Sequence, residues 1–455
     1  MHREFEAHFK NIFGARYQSF FDAISSSPST AIRLNKNKQE EVPFEGERIP
    51  WSEDSYWLEQ RPAFYADPRH FAGAYYVQDP SSMFFTGGID FSTVHTALDM
   101  CAAPGGKSTH LLSKMSSDSL LVSNELDIQR NKVLVENLNR WGYSNSVVTN
   151  AKSGAFEALG EVFDLVLLDA PCSGEGMFRK DQKSLDQWSP NLVLSCAALQ
   201  KELIEDAASL VKPGGYLVYS TCTFEKAENE ERILQIISNH DFEGVQIPIP
   251  DGAAIEERMV EASKGVYPSY HLFFHELKGE GQFVCILRKK KAAASTKKLK
   301  VKQNRLRKLK PTEIERVQQF IKLPSDVSLV AHEDMIYAIR TEHLELQTWL
   351  MANMPLWKLG VKVGQFAGKD LKPHHELALS EFSKAYSHRI DVDYDTAISY
   401  LKREVISVPE STPKKWLLLT YQGLGLGWIK NLGSRVNNYL PKELMLRKDI
   451  KKAEH

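Results

Sequence analysis

A chain of 455 residues, 42% hydrophobic and 25% charged, can bury at least one large core and divides on length into two or three domains. It has no apolar run near the roughly 20 residues needed to span a bilayer, and its N-terminus lacks the basic, apolar and small-residue order of a secretory signal, which excludes a membrane partner and points to the cytoplasm. The net charge is −1, and five cysteines, an odd number without CxxC or His-rich spacing, exclude a disulfide framework and leave no metal site to expect.

Phe5, Phe9, Phe13, Tyr17, Phe20, Phe21 and Ile24 recur mostly three and four residues apart, which predicts one amphipathic helix over 4–24. A short strand follows at 31–35, then a polar, proline-containing stretch to about 68 in which the pattern assigns no element. An aromatic strand from Gly73 runs into the turn-rich Gln78-Asp79-Pro80-Ser81-Ser82. Between 94 and 222, apolar strands at 94–100, 120–124, 146–149, 163–169 and 215–220 alternate with helical patterns at 108–115, 127–141 and 191–211, the last stopped by Lys212-Pro213-Gly214-Gly215. That order builds a doubly wound parallel sheet with its ligand site at the carboxyl ends of the strands. Residues 230–265 read as mixed helix and loop, and 279–287 as a strand completing the sheet. Residues 288–310 hold 12 Lys/Arg and no acid, against 45 basic and 58 acidic residues elsewhere, and serve either as a solvated linker or as a phosphate-contacting segment. A helix at 311–322, a strand-rich segment at 327–340 and a glycine-punctuated β module from Trp416 onward close the chain.

Leu98-Asp99-Met100-Cys101-Ala102-Ala103-Pro104-Gly105-Gly106-Lys107 joins the first core strand to a helix, so its glycines let backbone amides approach a ligand at the helix N-terminus. Gly106-Lys107-Ser108 mimics the end of a phosphate loop, but Cys101 stands where that loop's first glycine belongs, which disfavours a polyphosphate. Glu125, ending the second strand, can accept hydrogen bonds from two ribose hydroxyls. Adenosine with a free ribose fits best. S-adenosylmethionine is such a ligand, and a dinucleotide stays open on these residues alone.

The fourth strand ends at Asp169, three residues before Cys172, and the fifth at Ser220-Thr221-Cys222. In the usual doubly wound order these strands are neighbours, roughly 5 Å apart, so both thiols are predicted to open into one crevice. Cys196, mid-helix, and Cys285, in a strand, read as buried structural residues. Carbon 5 of a pyrimidine is a poor nucleophile, but addition of a thiolate to carbon 6 gives an enamine-like adduct able to attack a sulfonium methyl. Asp169 is placed to hydrogen-bond the ring's N3 and exocyclic amine. Methyl transfer to nitrogen needs no thiol, so the cysteines favour carbon; which of them attacks is not decided by position.

Five ordered motifs carry a family resemblance: Tyr76 to Ser82, Asp99 to Lys107, Asp169 to Gly176 with Arg179-Lys180-Asp181, Tyr219 to Thr223, and Gly279 to Phe283. With them the chain resembles the Sun-type RNA (cytosine-5) methyltransferases over most of its length, and looks most like their bacterial small-subunit ribosomal RNA methyltransferase F group. The resemblance implies an α/β fold, a Rossmann-like class I methyltransferase sheet with an N-terminal α+β extension and C-terminal α+β and β domains of RNA-binding type. The expected division is a substrate-side domain at 1–90, the S-adenosylmethionine-dependent core at 91–289, a basic linker at 290–311, an α+β domain at 312–385 and a PUA-like RNA-binding domain at 386–455.

Carried over residue by residue, the resemblance implies that Cys101, Ala102, Ala103, Pro104, Gly105, Gly106, Lys107 and Glu125 hold S-adenosylmethionine. Asp169 would border both cofactor and target base, Cys222 would be the nucleophile, and Cys172 would assist breakdown of the covalent adduct. Where many relatives carry an acid facing adenine, this chain has Thr149-Asn150, so Asn150 or backbone is expected there. Thr420 to Trp428 with Asn437 to Pro441 resembles an RNA-binding module of the pseudouridine-synthase and archaeosine-transglycosylase type. The activity implied is cytosine-5 methylation of RNA, 16S ribosomal RNA foremost, by a cytoplasmic monomer acting on an unpaired or extruded base. A transfer RNA substrate and a non-catalytic ribosome-assembly role are the alternatives.

Overall fold

The structure, a computed structural model, describes residues 3–290 and 305–447. Most of the basic linker, 291–304, lies outside the described residues, and with it the expectation that it contacts RNA.

The single N-terminal helix expected from the aromatic spacing is two helices, Arg3–Phe13 and Tyr17–Ile24, because Gly14 takes φ 55° and turns the chain through one short 3-10 turn. The corner keeps the rings on one side. Phe5, Phe9, Phe13, Phe20 and Ile24 are buried together with Phe178, Phe224, Phe273 and Phe274, so the helical pair packs on loops from the sheet's functional end. The stretch that the sequence left unassigned supplies Gly46–Arg48 and Ser55–Leu58, which join Ala31–Leu34 and Tyr75–Val77 in a four-stranded antiparallel sheet.

The central sheet is built on five parallel strands: β1 (Thr96–Asp99), β2 (Leu120–Asn124), β3 (Ser146–Thr149), β4 (Phe163–Asp169) and β5 (Val211–Thr221), in the order β3-β2-β1-β4-β5. Leu165, Val166, Leu167 and Leu168 in β4 are all fully buried, as a strand covered on both faces requires. The turn expected at Lys212 to Gly215 is absorbed into the start of β5, where the register shifts between Phe163 and Leu165. Beyond β5 the sheet continues through antiparallel strands Gln282–Lys289, Gly265–Leu272 and Ile255–Ala262.

Two features correct the sequence reading. Of 230–265, expected as mixed helix and loop, Glu230–Asn239 is helical, but the strands Phe242–Val245 and Ile255–Ala262 follow, the latter in a hairpin with Gly265–Leu272. In Ile255–Ala262 only Ile255 and Val260 are buried, so the strand's own alternation is weak and its pairing with Gly265–Leu272 specifies it. At the opposite edge, Leu356–Leu359 adds an antiparallel tenth strand beside β3. The segment after the linker is thereby tied into the central sheet, a long-range pairing with no local signature.

Residues 305–373 also form a five-stranded sheet, and Arg389–Asp391, Trp416–Tyr421, Leu424–Asn431 and Val436–Asn438 a four-stranded one. Trp428 is buried there, its indole Nε1 donating to His374 O at 2.8 Å. Among the described residues, no helix is long and apolar enough to cross a membrane.

Candidate active site

Parallel pairing sets Asp169 of β4 opposite Ser220 of β5, so the loops leaving both strands start side by side. Cys172 and Cys222 meet there with their Sγ atoms 3.1 Å apart, and the backbone N–H of Cys222 donates to Cys172 Sγ at 3.2 Å. Both thiols are free and half-buried. A hydrogen bond to Cys222, then burial, then the negative field of Glu228 and Glu175 lift the Cys172 thiol well above its ordinary range. These influences favour the neutral thiol at Cys172. Asp169 is fixed by two partners: Lys107 Nζ lies 2.9 Å from Oδ2, and Ser220 Oγ donates to Oδ1 at 2.6 Å. Burial works against the charge of Lys107, but Asp169, and after it Cys222 and Asp99, hold its pKa above the ordinary value.

The first loop opens a crevice of about 240 Å³ lined by Asp99, Cys101, Ala102, Ala103, Pro104, Gly106, Lys107 and Asp169, with Tyr76, Gln78 and Met177 opposite. Gly105, at φ 108°, ends the loop and starts the helix Gly106–Lys114, a backbone state closed to most side chains. Glu125, 5% exposed, accepts from Asp127 N at 2.9 Å through Oε1. Among the described residues its Oε2 has no hydrogen-bond partner and forms an ion pair with Arg130 Nη1 at 3.5 Å. A buried carboxylate oxygen waiting for a donor is what a ribose diol would satisfy. Asn150 is committed otherwise: its Nδ2 donates to Glu125 O at 2.6 Å and Leu126 O at 2.8 Å, so it holds the Glu125 turn and leaves only its carbonyl oxygen for a ligand. Burial, followed by Asp99, Glu125 and Asp169, pushes the Cys101 thiol up, which makes it a neutral wall.

Sequence reasoning missed several members of this site. Asp99 is fully buried, its Oδ1 without a hydrogen-bond partner among the described residues, and burial pushes its carboxyl up to about 7 against the hydrogen bond from Ser108 at 2.6 Å. Arg33, a charge inside an apolar strand, is buried over the Trp141 ring and donates to Gln78 Oε1, Ser113 Oγ and Thr109 Oγ1 at 2.9, 2.9 and 2.6 Å. It pins the N-terminal sheet to the helix that follows the first loop. Its one sequence signal was an arginine where the strand pattern calls for an apolar side chain. The motif Gln78 to Ser82 reaches the last motif through Asp79, whose Oδ2 accepts from Glu280 N at 2.9 Å, and Glu280 pairs with Arg179 at 3.2 Å, both side chains buried.

Gly176 and Gly281 let two of these loops touch. Gly176 N donates to Cys222 O at 2.8 Å and Gly281 N to Gly176 O at 2.9 Å. A Cβ on residue 281 would lie 2.4 Å from Gly176 Cα and 2.4 Å from Phe224 Cζ. Gly281→Ala is expected to cost about 1–3 kcal/mol by overpacking, read by chemical denaturation, and to lower activity more than the lost stability explains, because the loop displaced is the one that fixes Cys222.

Residues 90–288 match the family described as 16S rRNA methyltransferase RsmB/F, residues 1–80 the N-terminal domain of 16S rRNA methyltransferase RsmF, and residues 387–446 the methyltransferase RsmF PUA domain. The ribosomal RNA small subunit methyltransferase F of Shewanella loihica is 32% identical over 417 residues, 88% of this chain and 84% of the relative. That of Salmonella agona is 31% identical over 414 residues, covering 87% and 84%. Among solved structures, a methyltransferase homolog protein from Pyrococcus horikoshii superposes with a TM-score of 0.53 at 27% identity, over 64% of this chain and 95% of that one. NSun6 from Pyrococcus horikoshii, at 18% identity, has a TM-score of 0.53 over 64% and 99%, a likeness of fold.

Proposed function

The chain belongs to the 16S ribosomal RNA methyltransferase RsmB/F family, and we propose that it transfers a methyl group from S-adenosylmethionine to carbon 5 of a cytosine in 16S ribosomal RNA through a covalent bond to Cys222. Family membership makes the protein an RNA methyltransferase. The observation that best supports carbon as the acceptor is the pair of thiols 3.1 Å apart beside the Asp169–Lys107 ion pair, since nitrogen methylation has no use for either.

S-adenosylmethionine, when bound, supplies an electrophilic methyl on a sulfonium. Glu125 would hold the ribose, the loop from Cys101 to Lys107 the remainder of the molecule, and the buried Glu125 Oε2, ion-paired with Arg130 but without a hydrogen-bond donor among the described residues, is the feature of this chain that fits it. Cys222 Sγ, as thiolate, attacks C6 of the cytosine: the S–C6 bond forms and the C5–C6 π pair moves to C5, which takes the methyl. Asp169, held by Lys107 and Ser220, accepts from the exocyclic amine and orients the ring. Loss of the C5 proton then returns its electron pair to C5–C6, breaks S–C6 and frees Cys222. Cys172, in contact with Cys222 Sγ, is the group placed to take that proton. An RNA substrate is consistent with the C-terminal PUA domain, and a flipped or unpaired base with the recessed thiols.

Glu125→Gln tests the cofactor half. The neutral amide keeps the shape but weakens charged hydrogen bonds by about 1.5–3 kcal/mol, so calorimetric affinity for S-adenosylmethionine is expected to fall about 10- to 100-fold with the melting temperature unchanged. Unaltered affinity would remove Glu125 from the site.

A further inference from the structure

Behind the two thiols lies a group of acids that the reaction above does not use. Ser173, next to Cys172, is buried with Glu175, Glu228 and Thr223, each under 4% exposed. Its hydroxyl meets Glu175 Oε2 at 2.8 Å, Thr223 Oγ1 at 3.0 Å, and Glu228 Oε1 more closely still. The far oxygens of both carboxyls are already accepting. Glu228 Oε2 takes Ser173 N at 3.1 Å and Gln200 Nε2 at 2.7 Å, and Glu175 Oε1 takes Trp188 Nε1 at 2.7 Å. Among the described residues, neither carboxyl forms an ion pair with a Lys or Arg.

Hydrogen counting decides the state of this group. A serine hydroxyl carries one hydrogen, so it can donate to one carboxylate and presents only lone pairs to the other. Two ionised carboxylates on one hydroxyl would leave an oxygen pressed against an oxygen in a dry site with no cation, a costly arrangement. One added proton closes the chain, with one acid donating to Ser173 and Ser173 donating to the other. We propose that Glu228 and Glu175 share a proton through Ser173, and that this neutralised bridge is a positioning device that holds Cys172 against Cys222. The bridge adds to the backbone contacts between the two loops, Gly176 N to Cys222 O and Cys222 N to Cys172 Sγ, because Ser173 adjoins one cysteine and Thr223 the other.

The electrostatics agree. Burial, then Glu225 and Glu228, push Glu175 up to about 8, while burial pushes Glu228 up to about 7. The other ionisable groups facing the pair are Glu225, which is held by His8 at 2.5 Å, the thiols of Cys172, Cys222 and Cys196, and Tyr219, whose hydroxyl donates to Glu228 O at 2.6 Å. None is a cation that would favour two ionised acids, apart from His8 when protonated, and that imidazole is engaged by Glu225. As pH rises through about 8 the shared proton leaves and the bridge opens.

The inference rests on the reading of Cys172 and Cys222 as the reactive thiols, so two independent measurements on the full chain test it. Infrared spectra at neutral pH should show the carbonyl stretch of a protonated carboxylic acid in the wild type that Glu228→Gln lacks, since its amide donates to Ser173 in the proton's place. Identical spectra would overturn the shared proton. In single-turnover methylation of small-subunit ribosomal RNA, Glu228→Gln should keep most of the wild-type rate and hold it at pH values where the wild type declines. Glu228→Asp, one methylene short, should lose about 100-fold in rate with RNA affinity unchanged. A Gln variant as slow as Asp, or an unshifted alkaline limb, would overturn the positioning role. A wild type with no C5 methylation would instead defeat the functional reading, with the infrared result still deciding the proton.

Discussion

Cys222→Ala is expected to abolish methyl transfer, by a factor on the order of 10⁴ or more, while S-adenosylmethionine binds as before. The size follows from the chemistry: without S–C6 bond formation, C5 has no electron pair to offer. The selectivity follows from the structure. The backbone at 222 keeps both of its contacts in the alanine variant, its N–H to Cys172 Sγ and its carbonyl accepting from Gly176 N, so the two loops stay in register. Cys222 is half-buried and the deletion removes one sulfur, a change of at most about 1 kcal/mol in stability. Calorimetry with the cofactor and methylation of small-subunit RNA separate the two effects. Activity retained in the variant would end the covalent reading.

How much of this was legible in the sequence depends on the range of the interactions involved. β1 to β5 follow from apolar runs alternating with helices, and the usual doubly wound order, which sets β4 beside β5, predicts both thiols in one place. Glu125 is a candidate by its position at a strand end. What stayed hidden is long-range or inverted in polarity. Leu356–Leu359 pairs with a strand more than 200 residues earlier, and its Lys358 is buried beside Glu376 at 3.9 Å, so no local pattern announces a core strand. Pro268 lies inside the strand Gly265–Leu272 opposite Met259, although proline is disfavoured within a sheet. Arg33, Asp99, Glu175 and Glu228 are charged groups in dry places, and residue type argues for the surface at each of them.

The same inversion ties the acids to catalysis. Glu228 precedes a helix and Glu175 follows a glycine, positions that usually face water. Here both are buried, and they raise the pKa of Cys172 after Cys222 and burial have done so. A proton shared between them reduces the negative charge behind the thiol, so the bridge sets position and field together.

Cys172→Ala is expected to trap the enzyme on its RNA. The largest influence holding Cys172 protonated is its hydrogen bond to Cys222, and Cys222 also raises it through charge. Once Cys222 is bonded to C6 it is a thioether, and both influences vanish. Cys172 can then release its proton to water and take the one on C5, so the base forms only after the bond it must help to break. Removal of this thiol leaves attack and methyl transfer intact and stops elimination. The variant should complete one methylation per molecule and accumulate a protein–RNA species that survives denaturing electrophoresis, with turnover reduced by about 10²- to 10⁴-fold, the span of general base catalysis. The double variant with Cys222→Ala should form no such species, which separates the adduct from adventitious crosslinking. Free turnover without an adduct would assign the C5 proton to another group, and Asp169, 2.9 Å from Lys107 at the same crevice, is the next in reach.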